Sequence, residues 1–384
     1  MERHKIKKKI CFVIASRANY GRVKSVIIRF KKSKEFVIQV VLAASALLER
    51  YGDLKKILKK DKIKIDREAY LVVEGETPYT MAKSTGVAIM ELSSIFNDLK
   101  PDFVFTVGDR YETIATAISA SYMNIILVHI QGGEVTGSID ESVRHSITKL
   151  SHIHFPATEK AKRNIIKMGE DKRFVFNVGC PSFDLFKNKI NIKKINTFLN
   201  GVGSKIDLKN KYNLVVFHPV TTEYGISYEQ TQKLINVINN LNIQTIWLWP
   251  NVDAGSDGIS KCLRKNRENK NLRNVQLIKN FPVEFYNYLI KSATCLIGNS
   301  SSFIREASFF GTPTVLIGNR QQNREVGANV IRSSFKETEL IKKIKKQMGK
   351  KYKKNYLYGN GNAASKIYKI FITLSPPIQK QLKY

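Results

Sequence analysis

The sequence lacks the features that mark several large classes of protein. No stretch approaches the roughly 18 consecutive apolar residues that a membrane-spanning helix needs. Cysteines are few: Cys11, Cys180, Cys262 and Cys295 are scattered, with no CxxC pair and no histidine at metal-ligand spacing. This usage argues against a zinc site and fits a reducing compartment. We therefore expect a cytoplasmic protein without a metal centre.

The motifs of three common enzyme classes are also missing. No Walker lysine motif occurs, which disfavours an ATPase, and the segment SRANYGR is not a GxGxxG fingerprint, which disfavours a dinucleotide dehydrogenase. No GxSxG nucleophile elbow is present either. The start, MERHKIKKKICFVIAS, has no small-residue cleavage site after a long apolar region, so we interpret it as a first buried strand and not as a signal peptide. We expect no cofactor.

Acidic residues are half as numerous as basic ones. The chain has 32 Asp and Glu against 64 Lys and Arg, a formal net charge of +32. Such a charge suits nucleic acid, an anionic membrane surface or an anionic small substrate. The lysines, however, lie in helix-like runs such as LKKILKKDKIKI and IKKIKKQMGKKYKKN, without interleaved aromatic residues. We interpret them as a solvated surface and expect neither nucleic acid nor membrane as a partner.

Two series of short β-rich segments alternate with longer amphipathic segments along the 384 residues, a length that favours two domains. This alternation predicts an α/β protein of two doubly wound, Rossmann-like domains, each with a parallel sheet covered by helices on both faces. The seam is expected between Phe186 and Lys211, where the sequence is polar and basic. The first series is KICFVIAS, FVIQVVLA, FVFTVG, NIILVHI and FVFNVG, and the second is NLVVFH, TIWLWP, VQLI, CLIG and TVLIG.

Polar residues follow most of these segments. In open α/β sheets, ligands bind outside the carboxyl ends of the strands, so these residues predict a cleft between the two domains. They are Ser16 and Arg17, Gly108 to Arg110, His129 to Glu134, His218 and Pro219, Pro250, Asn251 and Asp253, and Gly298 to Ser301.

The stretch NIILVHIQGGEVTGSIDESVRHS places glycines and ionisable groups directly after a buried strand. Ser138 to Glu141 has the form of a capping box, which predicts a helix that begins just after Ser138. On that helix Asp140 and Arg144 are spaced for an i,i+4 ion pair, and the helix dipole favours an acid at the start, so a purely structural role is one interpretation. The functional interpretation rests on the expected position of Asp140 at the cleft edge, near Asp109.

The segment GNSSSFIREASFFGTPTVLIG leads from a strand through three serines into a short helix that Gly311 and Pro313 end. Backbone N–H groups and hydroxyls at such a helix start form a phosphate cradle. Glu306, one turn into the helix, is placed to accept hydrogen bonds from a ribose. Together with His218 and Asn251 at matching strand ends, this segment predicts a site for a nucleoside diphosphate.

Six segments carry a family resemblance: SRANYGR, GDRYE, GGEVTGSIDESVRHSITKLSHIHF, HPVTTE, PNVDAGS and GNSSSFIREASFFGTPTVLIGNRQ. In this order, from about Lys9 to Ile331, the chain resembles the hydrolysing nucleotide-sugar 2-epimerases of the bacterial sialic-acid and legionaminic-acid pathways. The resemblance implies a glycosyltransferase-B type fold, with catalytic acids in a first domain at 1–190 and nucleotide binding in a second at 205–365. It also implies a carboxyl-terminal helix at 366–384 that packs back on the first domain. We expect a homo-oligomer, either a dimer or a tetramer.

The resemblance implies catalytic roles for residues of the first domain. Asp109 and Asp140 match two catalytic acids, and Asp109 is the first candidate for the indispensable one; the alternative is that it only fixes Arg110. Related enzymes often have Glu where this chain has Gln131, which takes no proton but can orient a sugar hydroxyl or a water. Either the base role moves to Glu134, Asp140 or His129, or that Glu was never the essential base.

The resemblance also implies a nucleotide site that spans both domains. Asn19 stands where related enzymes often have Asp, which removes a charge near Arg17. His218 is a candidate both for catalysis and for nucleotide binding. The full set of implied nucleotide and phosphate contacts is Arg17, Gly21, Arg110, His218, Asn251, Ser256, Asn280, Ser300, Ser301, Glu306 and Arg320.

The implied reaction eliminates the nucleoside diphosphate across C1–C2 of a 2-acetamido sugar and adds water to the glycal, which releases the free sugar with C2 inverted. The segment GEVTGSIDESVRH preceded by Gln is most similar to the legionaminic-pathway enzymes. This implies UDP- or GDP-linked N,N′-diacetylbacillosamine as substrate and 2,4-diacetamido-2,4,6-trideoxymannose as product. The alternative within the family is UDP-N-acetylglucosamine, which gives N-acetylmannosamine. Outside it stand a glycosyltransferase of the same fold and a basic nucleic-acid-binding protein.

Overall fold

The first half of the chain forms one six-stranded sheet with helices on both faces. The computed structural model describes residues 7–49, 52–187 and 196–383. The elements of this half are β1 Lys8–Ile14, α1 Arg17–Lys31, β2 Phe36–Ala43, α2 Leu54–Lys60, β3 Arg67–Ala69, α3 Pro78–Leu99, β4 Phe103–Val107, α4 Tyr111–Tyr122, β5 Ile126–Ile130, α5 Asp140–Leu150, β6 Ile153–Phe155 and α6 Glu159–Lys167.

The strands of this sheet are parallel and run in the order β3-β2-β1-β4-β5-β6. Every residue of β4 is buried, as is most of β5, because helices cover both faces of the sheet. Two apolar cores result, one on each face. Strand order reverses between β1 and β4, and the crevice at such a switch point is where this kind of fold binds ligands.

The second half repeats this plan with seven strands. Its elements are β7 Val202–Gly203, β8 Asn213–Val216, α7 Ser227–Leu241, β9 Thr245–Leu248, α8 Ser256–Glu268, β10 Val275–Ile278, α9 Val283–Ser292, β11 Cys295–Gly298, α10 Arg305–Phe310, β12 Thr314–Ile317, β13 Val330–Ser333, α11 Glu337–Gln347 and α12 Ala363–Phe371. The order is β13-β12-β11-β8-β9-β10-β7, parallel except for the edge strand β7. Its switch point lies between β11 and β8.

One predicted strand is wrong. The segment FVFNVG, residues 174–179, makes only a single bridge between Val175 and His154. The segment lies beside β6, where the Phe176 N–H donates to His154 O at 3.0 Å, but a 3₁₀ turn at Lys172–Phe174 occupies its start. Gly179, with φ 83° in the left-handed region, ends it.

The connection between the halves and the carboxyl-terminal helix differ from the predicted ranges. Within the predicted seam, residues 188–195 lie outside the described part of the chain. The second sheet already includes Val202, before the predicted limit of 205, because β7 pairs antiparallel with β10. The helix α12 runs from Ala363 to Phe371 and not over 366–384, and residues 372–383 carry no further helix.

The helix α12 packs against α1 of the first half. Phe371 stacks edge-on against Phe30 and Phe103, with ring centroids 5.3 and 4.8 Å apart. Ile367 is fully buried in the same core. Burial of aromatic rings of this size contributes several kcal/mol by area and by edge-to-face geometry. The end of the chain is therefore anchored on the first sheet.

Candidate active site

A cleft of about 610 Å³ lies between the carboxyl ends of the two sheets. Gly21 on α1 faces Val283 on α9 across it, and a Cβ at Gly21 would stand 3.2 Å from a Val283 methyl group. A larger residue there would separate the two halves. Nine of the predicted contacts line the cleft: Arg17, Gly21, Arg110, His218, Asn251, Asn280, Ser300, Ser301 and Glu306.

The six other predicted residues lie outside this lining. Arg320 pairs with Asp140 and Asp253, and Asp253 pairs with Arg110 of the lining. Asp109 directly precedes Arg110 and pairs with Arg144. Glu134 and Gln131 are buried in the first half. Ser256 donates a hydrogen bond to Glu76 Oε2 at 2.6 Å, so it joins the two halves beside the cleft.

Asp109 follows β4 and is held by Arg144, not by Arg110. The fully buried Arg144 donates from Nε to Asp109 Oδ2 at 3.0 Å. Arg110 instead pairs with Glu112 at 2.9 Å and with Asp253 at 2.8 Å. Burial alone would raise the pKa of Asp109, but Arg144 and other arginines outweigh it and hold the pKa below its ordinary value. Asp109 is therefore an anion at neutral pH.

The helix α5 begins where the sequence predicts, but without the expected capping box. Ser138 Oγ is buried with no partner among the described residues, and the cap position, Ile139, has no side-chain hydrogen bond. Glu141 Oε2 accepts from the backbone N–H of Thr136 at 2.6 Å and from Arg144 at 3.0 Å. The carboxylate bends toward the buried guanidinium because that charge is the stronger donor.

Asp140, at the first turn of α5, has a second carboxylate nearby. Its Oδ2 lies 3.6 Å from Nη2 of Arg320. Burial and the Asp109 carboxylate raise the pKa of Asp140 to about 6, against the opposing effect of Arg320. Two acids whose pKa values are pushed apart in this way are typical of acid–base catalysis.

Glu134 is a structural anion. Its Oε1 accepts from Arg305 Nη2 at 2.8 Å, and its Oε2 lies 2.8 Å from Arg324 Nε. All three side chains are almost fully buried. Arg305 and Arg324 come from the second half of the chain, so this cluster fastens the two halves together.

Gln131 and His129 are also poorly placed for proton transfer. Gln131 has a left-handed backbone (φ 66°), donates from Nε2 to Cys180 Sγ at 2.9 Å, and is buried. His129 Nε2 lies 2.8 Å from Gly108 O, and burial lowers the pKa of the ring to about 3. The His129 ring thus supports the turn that precedes Asp109, whereas the Gln131 side chain is held by Cys180.

The second sheet places a serine-rich loop at its switch point. Gly298 ends β11 with φ 141°, where a Cβ would meet Val216 O at 2.0 Å, so only glycine lets the chain turn there. Ser300 then accepts a hydrogen bond from the Ser302 N–H at the start of a 3₁₀ turn. From the first half, Arg22 Nη2 donates to Ser301 Oγ at 3.0 Å.

His218 and Glu306 lie on either side of this loop. Burial, followed by Arg320, lowers the pKa of His218 to about 3, so the ring is neutral; its Nδ1 accepts from Asn251 N at 3.3 Å. Burial raises the pKa of Glu306, and Ser182 Oγ donates to Glu306 Oε1 at 3.1 Å. A neutral imidazole has one donor and one acceptor nitrogen, and a carboxyl group accepts hydrogen bonds from hydroxyls, so both side chains can contact a nucleotide.

Sequence reasoning missed Arg22 and Arg144 as site residues, and it named Asp253 only as one of the residues that follow a strand. Asp253 does follow β9, and that position was its only signal. Its contacts with Arg110 and Arg320 could be seen only once the second sheet was placed against the first.

Within the described residues, no group of three His, Cys, Asp or Glu could hold a metal ion. In the same part of the chain, no helix is long and apolar enough to cross a membrane.

Comparisons with known proteins agree on one family. The family model described as UDP-N-acetylglucosamine 2-epimerase matches residues 28–372. The hydrolysing UDP-N,N′-diacetylbacillosamine 2-epimerase of Legionella pneumophila is 32% identical over 377 residues, 98% of each chain. The hydrolysing GDP/UDP-N,N′-diacetylbacillosamine 2-epimerase of Campylobacter jejuni is 33% identical over 353 residues, 91% of this chain and 90% of the relative.

A solved structure shares the fold. The UDP-GlcNAc 2-epimerase of Methanocaldococcus jannaschii, in complex with UDP-GlcNAc and UDP, superposes with a TM-score of 0.79 at 19% identity. The match covers 95% of this chain and 99% of that one. The predicted fold class, two doubly wound domains of the glycosyltransferase-B type, is confirmed.

Proposed function

The chain belongs to the UDP-N-acetylglucosamine 2-epimerase family, and we propose that it is a hydrolysing member that acts on a nucleotide-linked N,N′-diacetylbacillosamine. The family predicted from the six motifs is thereby confirmed. The carbohydrate follows from the two relatives at 32 and 33% identity, whose names specify that sugar. The observation that carries the chemistry is the pair of neighbouring acids, Asp109 and Asp140, with opposite pKa shifts.

Inversion at C2 needs a proton removed from one face of the sugar and another delivered to the opposite face. One ionised and one protonated carboxyl group provide both functions at once. Asp109 is the base in this proposal, because its pKa keeps it ionised. Asp140, whose pKa lies near 6, is the acid. The opposite pKa shifts support this division of roles, which the sequence alone left shared between the two residues.

The first step is the elimination. As the bond from C1 to the diphosphate oxygen breaks, positive charge develops on C1 and makes the proton on C2 acidic enough for a weak carboxylate base. Asp109 takes that proton, its electron pair forms the C1=C2 bond, and the nucleoside diphosphate leaves. Arg17, Arg110 and Arg320 stabilise the leaving diphosphate, since a guanidinium binds phosphate oxygens with two parallel hydrogen bonds.

The second step is hydration of the glycal. Asp140 delivers its proton to C2 on the opposite face, and a water oxygen bonds to C1. The proton lost by that water returns to the Asp140 carboxylate, and Asp109 releases its proton to solvent. The products are the free C2-inverted sugar, the nucleoside diphosphate and one proton.

The nucleotide occupies the second half of the cleft in this proposal. The diphosphate lies on the loop of Ser300 and Ser301, the ribose is bound by Glu306, and His218 and Asn251 complete the site. Ser256 and Glu134 take no part in it, because their side chains bind Glu76 and two buried arginines. We further place the reaction in the cytoplasm, since all four cysteines are buried and free, in a homo-oligomer whose subunit has domains near 1–190 and 205–365.

The sugar assignment predicts a clear substrate preference. We expect kcat/KM for UDP- or GDP-linked N,N′-diacetylbacillosamine to exceed that for UDP-N-acetylglucosamine by at least ~10-fold, because a pocket shaped for a C6 methyl and a C4 acetamido group binds hydroxyls poorly. The measurement is initial-rate kinetics on the three nucleotide sugars side by side. A preference for UDP-N-acetylglucosamine would overturn the choice of sugar, and product formation only with an added acceptor would instead indicate a glycosyltransferase.

A further inference from the structure

Among the described residues of the site, Arg320 is a loosely held cation. Its Nη2 lies 3.6 Å from Asp140 and 3.9 Å from Asp253, and its Nη1 donates to Asn299 O at 3.4 Å. Arg110, by comparison, has carboxylate partners at 2.8 and 2.9 Å. Arg320 can therefore move to a stronger anion at small cost.

That anion would enter beside Arg320. Asn299, whose carbonyl Arg320 touches, directly precedes the loop of Ser300 and Ser301, where a diphosphate has hydrogen-bond donors ready. A diphosphate offers a guanidinium two parallel, charge-assisted hydrogen bonds, which its present partners do not. A diphosphate on the loop would draw Arg320 toward itself.

The groups that face Asp140 come from four elements. Asp109 after β4 and Asp253 after β9 are anions, while Arg144 on α5 and Arg320 after β12 are cations. Arg144 already donates hydrogen bonds to four other groups: Asp109, Glu141, Thr136 and the Glu134 carbonyl. Arg320 is thus the counterion on which the ionised form of Asp140 depends.

We infer that binding of a nucleoside diphosphate or its sugar ester takes Arg320 away from Asp140, and that Asp140 then takes up a proton from solvent. The inference rests on the proposed function, since it takes the nucleotide as the ligand of this cleft. Removing a cation and adding an anion both favour the neutral carboxyl. Substrate binding would thereby protonate Asp140, which is the acid of the second step. In the empty site, Asp140 would stay ionised.

The test is calorimetric titration of the full-length protein with UDP-glucose and GDP-glucose. These esters carry no phosphate group that titrates near neutrality, so any linked proton belongs to the protein. Binding enthalpies are measured near pH 7 in PIPES and in Tris, whose protonation enthalpies differ widely and which carry no phosphate group. We expect uptake of more than about half a proton per site, because a group with a pKa near 6 starts mostly ionised there.

Two variants identify the proton's destination. Asp140→Asn should bind with a change in affinity within several-fold and take up almost no proton. Arg320→Gln removes the counterion in advance, so that Asp140 starts more protonated; uptake should fall while binding weakens. Binding without proton uptake in the natural protein, or undiminished uptake in Asp140→Asn, would overturn the inference alone. Failure of both nucleotides to bind would overturn the proposed function together with it.

The pH dependence of turnover gives a second measurement. Asp140 acts in its protonated form, so activity falls as pH rises through its pKa. The profile of kcat/KM reports the pKa of Asp140 in the free protein, so kcat/KM should decline above about pH 6. The profile of kcat reports the pKa of Asp140 in the substrate complex, so kcat should decline at least about one pH unit higher. Superimposable declines in the two profiles would contradict a substrate-linked proton.

Discussion

Replacing Asp109 by Asn is expected to lower kcat roughly 10²- to 10⁴-fold, the contribution of a positioned general base. Asn keeps the shape of the side chain, and its carbonyl oxygen can still accept a hydrogen bond from Arg144. What the substitution removes is the negative charge and with it the capacity to take the C2 proton. The single-turnover rate should therefore fall. The affinity for UDP, measured by calorimetry, should change by no more than several-fold.

Asp102→Asn is the matched control. Asp102 precedes β4, at the opposite end of the strand from Asp109, and accepts a hydrogen bond from Lys9 N at 2.6 Å. The same chemical change there should leave kcat within about twofold, because it lies far from the cleft. Nearly full kcat in Asp109→Asn would show that Asp109 serves only to hold Arg144, and the base would have to be sought elsewhere.

Replacing Glu134 by Ala is expected to lower the free energy of unfolding by roughly 3–5 kcal/mol. The carboxylate is almost fully buried between Arg305 and Arg324, each within 2.8 Å. Its loss leaves two buried cations without their anion, and this uncompensated charge is what destabilises the protein. Urea unfolding followed by circular dichroism measures the change. Because the cluster joins the two halves, the halves should also unfold less cooperatively.

Glu229→Ala is the control for that substitution. Glu229 pairs with Lys233 at 2.6 Å, but the pair is exposed on α7. Surface pairs of this kind contribute less than about 1 kcal/mol, since solvent screens them. A loss for Glu134→Ala as small as that for Glu229→Ala would mean that the buried arginines find other partners.

The fold could be predicted because its central strands can be recognised in the sequence. Strands such as β4 and β8 are buried on both faces, so they appear as short apolar runs. The edge strands β3 and β7 span three and two residues, too few for any periodic pattern. The wrong segment, FVFNVG, has the composition of a strand, but it lies beside β6 with only a single bridge, between Val175 and His154.

The positions of the site residues could be predicted, whereas their partners could not. Strand ends gather at one edge of a sheet, which brought Arg110, His218 and Ser300 to the cleft. The direction of each side chain depends on contacts distant in sequence: Glu134 meets Arg305, 171 residues away. Sequence therefore ranked Glu134 among candidate bases, and only the packed structure shows the arginines that hold it.

The most direct test of the proposed reaction is turnover in D2O with UDP- or GDP-linked N,N′-diacetylbacillosamine, followed by NMR of the released sugar. In the elimination and hydration route, the C2 proton leaves with Asp109 and a new one arrives from Asp140, which exchanges with solvent. The account predicts free sugar of inverted C2 configuration with one deuterium at C2 in every product molecule. Free sugar that retains the original hydrogen at C2 would contradict it.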